Sequence, residues 1–248
     1  MDWLSVDDHA YTAIYFANGG YLCYWRLHRD LPSAGPERLA ASTTGVQRLS
    51  IPDERSVGRK NAPIKIEVFN DFQCAGCADF HLKTLARVRE EYCATGKVYL
   101  VHYEYPLPIP SHQYAREAAR WALAGAAVGK YEVVADALFS DQASWAKSGN
   151  IAATVSPILT ADEFIRVKQA RRENAEEIDA ALAQDFALGR SFVVHGTPSF
   201  RILVKGTEVF ADHDEPEKIT PTTPRLKLYP NLKRYLDEHL PKATPRRG

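Results

Sequence analysis

The chain has 248 residues, enough for one large domain or a domain carrying an insertion. Apolar residues make up 45% and charged residues 25%, the proportions of a globular protein with a sizeable core. Lys plus Arg and Asp plus Glu number 31 each, so no net field attracts nucleic acid or an anionic membrane, and no basic stripe argues otherwise.

The N-terminus opens "MDWLSVDDHA", with three aspartates and no Lys or Arg. A secretory signal opens on positive charge before an apolar stretch, so residues 1–30 carry no convincing one. The uncharged run Ala10 to Trp25 is interrupted by Asn18-Gly19-Gly20 and is short for a membrane span of roughly 20 apolar residues. It reads as an irregular or helical extension, with a degenerate export segment as the alternative, and no stable membrane insertion is expected. Residues 30–63 are rich in Pro, Gly, Ser and Thr without a period and read as a linker or arm.

Order begins at Ile64. Ile64, Ile66 and Val68 alternate with Lys65, Glu67 and Phe69, a strand signal. From Ala75 the period becomes helical, with Leu82, Leu85, Val88 and Tyr92 on one face and Gly96 as a stop. "KVYLVHYEYPL", Lys97 to Leu107, is a second strand ended by Pro106, Pro108 and Pro110.

Residues 111 to about 190 read as helix throughout. Ser111 is a candidate cap for the first segment, and "KYEVVADALFSDQ" forms a second. Thr160-Ala161-Asp162-Glu163 has capping-box spacing. Asn174 is a looser cap before a helix that Gly189 can end in the left-handed conformation. Strand character returns in "SFVVHGTPSFRILVKGTEVFAD", where Lys205-Gly206-Thr207 can turn a hairpin. "NLKRYLDEHL", Asn231 to Leu240, closes the fold as a helix, and residues 241–248 form a tail. Strand, helix, strand, helical block, two strands and helix define a mixed α/β protein.

Two of the four cysteines form Cys74-Ala75-Gly76-Cys77, where the first strand gives way to a helix. A Cys at a helix start lies beside unsatisfied N–H groups and the positive end of the helix dipole, which favour its thiolate. The second Cys sits about one turn further in, within reach of a small disulfide ring. A thioredoxin-like redox motif has this placement. Two bland readings compete. A structural zinc site needs four ligands, and Cys23, Cys93 and eight scattered histidines supply no matching pair. Inert core thiols are common, but the strand-to-helix context weighs against them. Thr197-Pro198 also lies in an extended apolar run that excludes Pro from a central strand; on local sequence alone a trans bond at a strand end is favoured.

"APIKIEVFNDFQCAGC", the helix after it, the helical block, "GTPSF" and "LKRYLDEHL" together resemble the DsbA/DsbG-type branch of the thioredoxin superfamily, over Pro63 to Leu240. The resemblance implies an α/β thioredoxin fold with an α-helical insertion. Residues 58–107 and 191–240 would form the thioredoxin-like domain, 108–190 the insertion and 1–57 an extension and linker. It implies that Cys74 and Cys77 are the catalytic pair and form the redox disulfide. It implies too that Pro198 is cis and faces them, and that Thr197 offers backbone hydrogen bonds to a substrate peptide. The expected activity is thiol–disulfide exchange on protein or peptide thiols and disulfides, with no metal or organic cofactor. A separate redox partner, not identified by the sequence, resets the pair. The family usually works outside the cytoplasm, which points to a periplasmic or otherwise extracytoplasmic location, although the N-terminus leaves a cytoplasmic one open. A glutathione- or small-molecule-dependent oxidoreductase and a non-catalytic peptide-binding module on the same fold are the alternatives.

This chain departs from the branch in two places. Relatives carry a buried carboxylate six residues before the first Cys; here that position is Val68, and Glu67, one place off, points to the opposite sheet face. Ala75-Gly76 supplies no His or Pro between the cysteines, which suggests a less oxidising pair. Cys93 reads as core packing, with a Cys23–Cys93 disulfide as the alternative. His81 and His195 read as solvent-facing, with thiol tuning and substrate contact as their respective alternatives. Asp71 suits a helix cap or dipole partner. Tyr114, Trp121 and Trp145 pack within the helical block.

Overall fold

The computed structural model describes residues 12–15, 21–24, 54–212 and 226–241. It separates into two compact units, residues 1–46 and 47–248. In the first, Thr12–Tyr15 (β1) and Tyr21–Tyr24 (β2) pair antiparallel, with Ala13 opposite Cys23. An irregular or helical extension was the expectation for this stretch; the Tyr-, Ile- and Leu-rich ends of the run instead satisfy each other's backbone as paired strands.

The second unit is built on a five-stranded sheet of order β3-β5-β4-β6-β7: Ser56–Val57 (β3), Ile64–Asn70 (β4), Val98–Glu104 (β5), Ser199–Val204 (β6) and Thr207–Asp212 (β7). The central pair β4 and β5 is parallel, and the other pairings are antiparallel. A parallel pair needs a crossover. Here it is α1, a helix over residues 75–93 in which Ala75–Asp79 and Ala86–Val88 alternate with π-helical stretches Phe80–Leu85 and Arg89–Cys93. The sheet reaches back to Ser56, earlier than the alternation at Ile64 suggests, because two residues are too few to show a period. Lys205 (φ 48) and Gly206 (φ 83) make the β6–β7 hairpin turn as expected.

Ile64, Ile66, Val68, Val98, Leu100, Phe200 and Ile202 cover one sheet face. Phe80, Leu85, Val88 and Tyr92 of α1 pack on it, with Leu232 and Leu236 of the last helix, Tyr229–His239. Full burial of each large apolar side chain contributes about 1.5–3 kcal/mol. That last helix begins two residues before the expected Asn231, since Pro230 fits the first turn, where its missing N–H costs nothing. Leu82 is 36% exposed although it shares the expected apolar stripe, whereas Cys93 is buried. The π-helical stretches change the angular step per residue, so an ideal 3.6-residue period drifts out of phase. Cys93 is a free thiol in the core; Cys23's side chain lies outside the described residues.

Between β5 and β6 lies the helical block: α2 (Ala115–Ala126), α3 (Tyr131–Ser140), α4 (Gln142–Ser148), α5 (Ile151–Val155), α6 (Ala161–Glu173) and α7 (Ala175–Ser191). Trp121 and Trp145 are buried in its core and Tyr114 packs against it. The Thr160–Glu163 capping box is formed in both directions. Of the three other caps expected, those at Ser111 and Gly189 do not form, and the one at Asn174 holds in position only. Ser111 lies in a 3-10 turn, Pro110–His112, and Tyr114 takes the cap position of α2. Asn174 sits at the α7 cap without a side-chain hydrogen bond. Gly189 does not end α7: the helix runs on to Ser191, and Val193 takes the left-handed conformation at φ 58. Glycine is needed at 189 for space, because a Cβ there would lie 2.5 Å from Tyr105 Cε2.

Candidate active site

The end of β4 delivers the chain to Cys74, which is itself the N-cap of α1 (φ −77°, ψ 117°). Its sulfur accepts from the Cys77 amide at 3.4 Å, a role usually filled by a side-chain oxygen. The Cys74 thiol also lies 3.2 Å from the Thr197 carbonyl oxygen. The Cys77 thiol first, then the Thr197 side chain and the Cys77 and Gly76 amides, outweigh partial burial and lower the Cys74 pKa to about 6. Cys77, three residues into the helix, is 1% exposed and packs in the core of the helical block. Burial first, then the neighbouring Cys74, push its thiol well above the usual range. Both cysteines are free thiols in this structure.

Thr197 and Pro198 arrive opposite this turn, just before β6, and the bond between them is cis. An alanine Cβ at position 76 would meet Pro198 Cδ at 3.4 Å and Cys74 Sγ at 3.7 Å, so the proline ring lies over the cysteine loop. The four residues singled out from sequence, Cys74, Cys77, Thr197 and Pro198, are thus brought together from two distant segments.

Other residues hold the loop in ways the sequence did not announce. Gln142 Nε2 donates to the carbonyls of Phe72 at 2.6 Å and Cys74 at 3.1 Å, tying the loop to α4. Gln73 Oε1 accepts from the Tyr114 amide at 2.6 Å. Asp71 is not a cap or dipole partner of α1. Its buried carboxylate accepts from Gln73 N, Leu107 N and His112 Nδ1, each at 2.7 Å. A helix-cap reading anticipates an Asx pattern here, but not partners 36 and 41 residues away.

His81 is also corrected: it is 2% exposed rather than solvent-facing. Its ring packs on Phe139, centroids 4.7 Å apart, and Nε2 lies 2.6 Å from Asp136. His81, Glu132 and Asp136 bring three ligand-type atoms within 4.8 Å of one another. The Arg89 guanidinium already sits among them, 2.5 Å from Glu132 and 2.8 Å from Asp136, and supplies the compensating charge. His195 is exposed. Glu67 faces away from the cysteines, paired with Lys65 at 2.5 Å and with Arg201. Beside the site, on β5, the fully buried Glu104 is bound by Asn70 at 2.7 Å and by Tyr131. Burial raises its pKa to about 8.

The thioredoxin family pattern matches residues 50–220. The chain belongs to the thioredoxin family. Among relatives of this thioredoxin-family chain is a probable disulfide bond formation protein D of Bacillus anthracis, 25% identical, covering 78% of this chain and 84% of that one. A Bacillus cereus protein of the same description is 24% identical over 78% of this chain and 85% of its own. BdbD from Bacillus subtilis, solved in its oxidised form, superposes with a TM-score of 0.55 at 14% identity, covering 75% of this chain and 91% of that one. Wolbachia pipientis alpha-DsbA1 superposes equally well, TM-score 0.55 at 20% identity, over 75% of this chain and 89% of its own. The fold is therefore the DsbA-like form of the thioredoxin fold, with a helical block between β5 and β6. Family, fold and the adjacent Cys74 and Cys77 support thiol–disulfide oxidoreduction as the activity of the chain.

Proposed function

We propose that this protein exchanges disulfides with protein and peptide thiols, with Cys74 as the attacking sulfur and Cys77 as the resolving one. The observation that carries this reading is the opposed setting of two sulfurs one helical turn apart: Cys74 at the helix mouth with a pKa of about 6, Cys77 buried with its thiol pushed up. Thiolate, not thiol, is the nucleophile, so attack begins at Cys74.

As the disulfide, the pair is attacked at Cys74 Sγ by a substrate thiolate. A mixed disulfide forms, Cys77 leaves as a thiolate, and a second substrate thiolate displaces Cys74, giving an oxidised substrate and a reduced protein. In the reverse direction Cys74 attacks a substrate disulfide and Cys77 releases the protein. Thr197, whose carbonyl lies at the sulfur, and Pro198, whose ring lies over the loop, form the substrate-binding edge in this reading. Residues 56–107, a start moved back from 58 to take in β3, and 191–240 act as the thioredoxin-like domain and 108–190 as its insertion. The site of action is extracytoplasmic, as in the periplasm, and a separate redox partner resets the cysteines. No helix among the described residues is long and apolar enough to cross a membrane.

The test is capture. A Cys77→Ser protein, incubated with a scrambled-disulfide protein, accumulates a covalent adduct through Cys74, resolved by mass spectrometry. Adducts with glutathione alone point to a small-molecule oxidoreductase, and no adduct at all points to a non-catalytic binding module.

A further inference from the structure

Every polar atom of Asp71 is engaged at the loop that carries the cysteines. Its carbonyl accepts from the Cys74 amide at 3.1 Å. Its own amide points at Cys77 Sγ, 3.4 Å away. Its carboxylate, with a side chain 0% exposed, is gripped by the Gln73 and Leu107 amides and by His112. The loop leading into α1 is thereby fastened to the segment after β5. His112 is the one side chain in this grip, and it sits in the 3-10 turn Pro110–His112. A carboxylate facing Nδ1 fixes the proton on that nitrogen.

The resolving step has a specific need at this place. Cys77 must carry negative charge as it attacks Cys74, yet its sulfur lies among apolar side chains. A dipole already aimed at the sulfur lowers that barrier without reorganising at the moment of reaction. The Asp71 amide is such a dipole, and its direction is set by what holds the residue around it.

We propose that Asp71 and His112 are positioning residues for the resolving step: the His112-clamped carboxylate holds the Asp71 amide against Cys77 Sγ, where it stabilises the developing thiolate. The inference rests on the exchange activity proposed above and adds to it a residue pair outside the Cys-x-x-Cys motif. In the step concerned, the Cys77 thiol gives its proton to solvent and its sulfur attacks Cys74 Sγ of the mixed disulfide. The Cys74–Cys77 bond forms, the Cys74–substrate bond breaks, and the substrate departs as a thiolate that takes a proton from water. The protein dithiol supplies both electrons.

The full chain, reduced, is mixed with a disulfide-bearing peptide, quenched in acid at intervals, and weighed to count mixed and resolved species. Asp71→Asn and His112→Leu form the mixed disulfide at the wild-type rate but release it about tenfold more slowly, the scale of one hydrogen bond to a charged group. His112→Asn, whose side-chain N–H can occupy the place of Nδ1, recovers most of the release rate. Thermal melts accompany each variant; if Asp71→Asn does not fold, the Leu and Asn variants at 112 decide the matter. Release unchanged in His112→Leu, or both steps slowed alike, overturns the inference. A wild-type protein that forms no mixed disulfide refutes the proposed function itself, a different outcome from normal exchange indifferent to these substitutions.

Discussion

Replacing Cys77 by Ala removes the largest influence holding the Cys74 thiol at about 6, the hydrogen bond between the two cysteine side chains. A hydrogen bond to a charged group contributes about 1.5–3 kcal/mol, and one pKa unit corresponds to about 1.4 kcal/mol. Cys74 is partly exposed, so solvent screening places the effect at the low end. The Cys74 midpoint should then rise to about 7 in the variant. At pH 6 the thiolate fraction falls from about one half to about one tenth. Alkylation rate alone understates this, because a thiolate of higher pKa is intrinsically more nucleophilic, by about threefold per unit. The two rate profiles therefore cross: the variant is slower at pH 6 and faster at pH 9. Thiolate absorbance against pH gives the midpoint directly, in a Cys23→Ser background. Cys93, pushed up to about 12 by burial, stays silent in that range. Cys77→Ser keeps a hydroxyl donor and should fall between wild type and Ala. A Cys77→Ala midpoint still at about 6 would show that the helix mouth alone sets the value and would refute this account of the pair.

Glu104 gives a pH signature of its own. Its carboxyl is raised from 4.5 to about 8 by burial, against the opposing pull of Tyr131 and Arg55. Between those values the unfolded chain has lost a proton that the folded one keeps, so stability falls as pH rises, by at most about 1.4 kcal/mol per unit. Glu104→Gln removes this slope, and melting points of the two proteins from pH 5 to 8 should diverge in favour of the variant; parallel curves would show an ionised Glu104. Gly189→Ala drives a methyl into the Tyr105 ring, whose hydroxyl donates to the Val194 carbonyl at 3.2 Å. Overpacking of this kind costs about 1–3 kcal/mol, read as a lower denaturant midpoint with an unchanged slope. An unaltered midpoint would mean that Tyr105 can swing aside.

What the sequence made legible was local. The alternation at Ile64–Phe69 and the run Val98–Glu104 became adjacent parallel strands, and Thr160 with Glu163 became a formed capping box, because each is written within a few residues. The Cys-x-x-Cys turn is equally local, and its helix-start position could be read without the fold. Contacts across long separations left no such trace. His81 reads as a surface residue until Phe139 and Asp136 of α3 close over it. Asp185 of α7 is buried against Arg55, 130 positions earlier, and accepts from the Glu104 amide at 2.8 Å. There it satisfies the β5 edge beyond the end of the short β3. The missing acid at Val68 has the same lesson: a carboxylate is buried beside the site after all, on the neighbouring strand at Glu104, paired in register with Asn70.

The two sulfurs differ because the helix end divides their surroundings. Cys74 is outside the first turn, where amides have no helical partner and point at its sulfur. Cys77 is inside it, its own amide already given to Cys74 and its sulfur turned into the apolar block. On the proposed assignment this has opposite consequences for the two halves of exchange. Accessibility directs an incoming thiolate to Cys74, but the group it expels is Cys77, whose raised pKa makes it a poor leaving group. Once the mixed disulfide exists, the group to be expelled is Cys74, and a thiol near 6 leaves readily. The barrier therefore concentrates at the buried sulfur, in whichever direction electrons flow. A donor fixed there controls the rate of the whole cycle, and a change at the exposed sulfur alters mainly how the pair is poised.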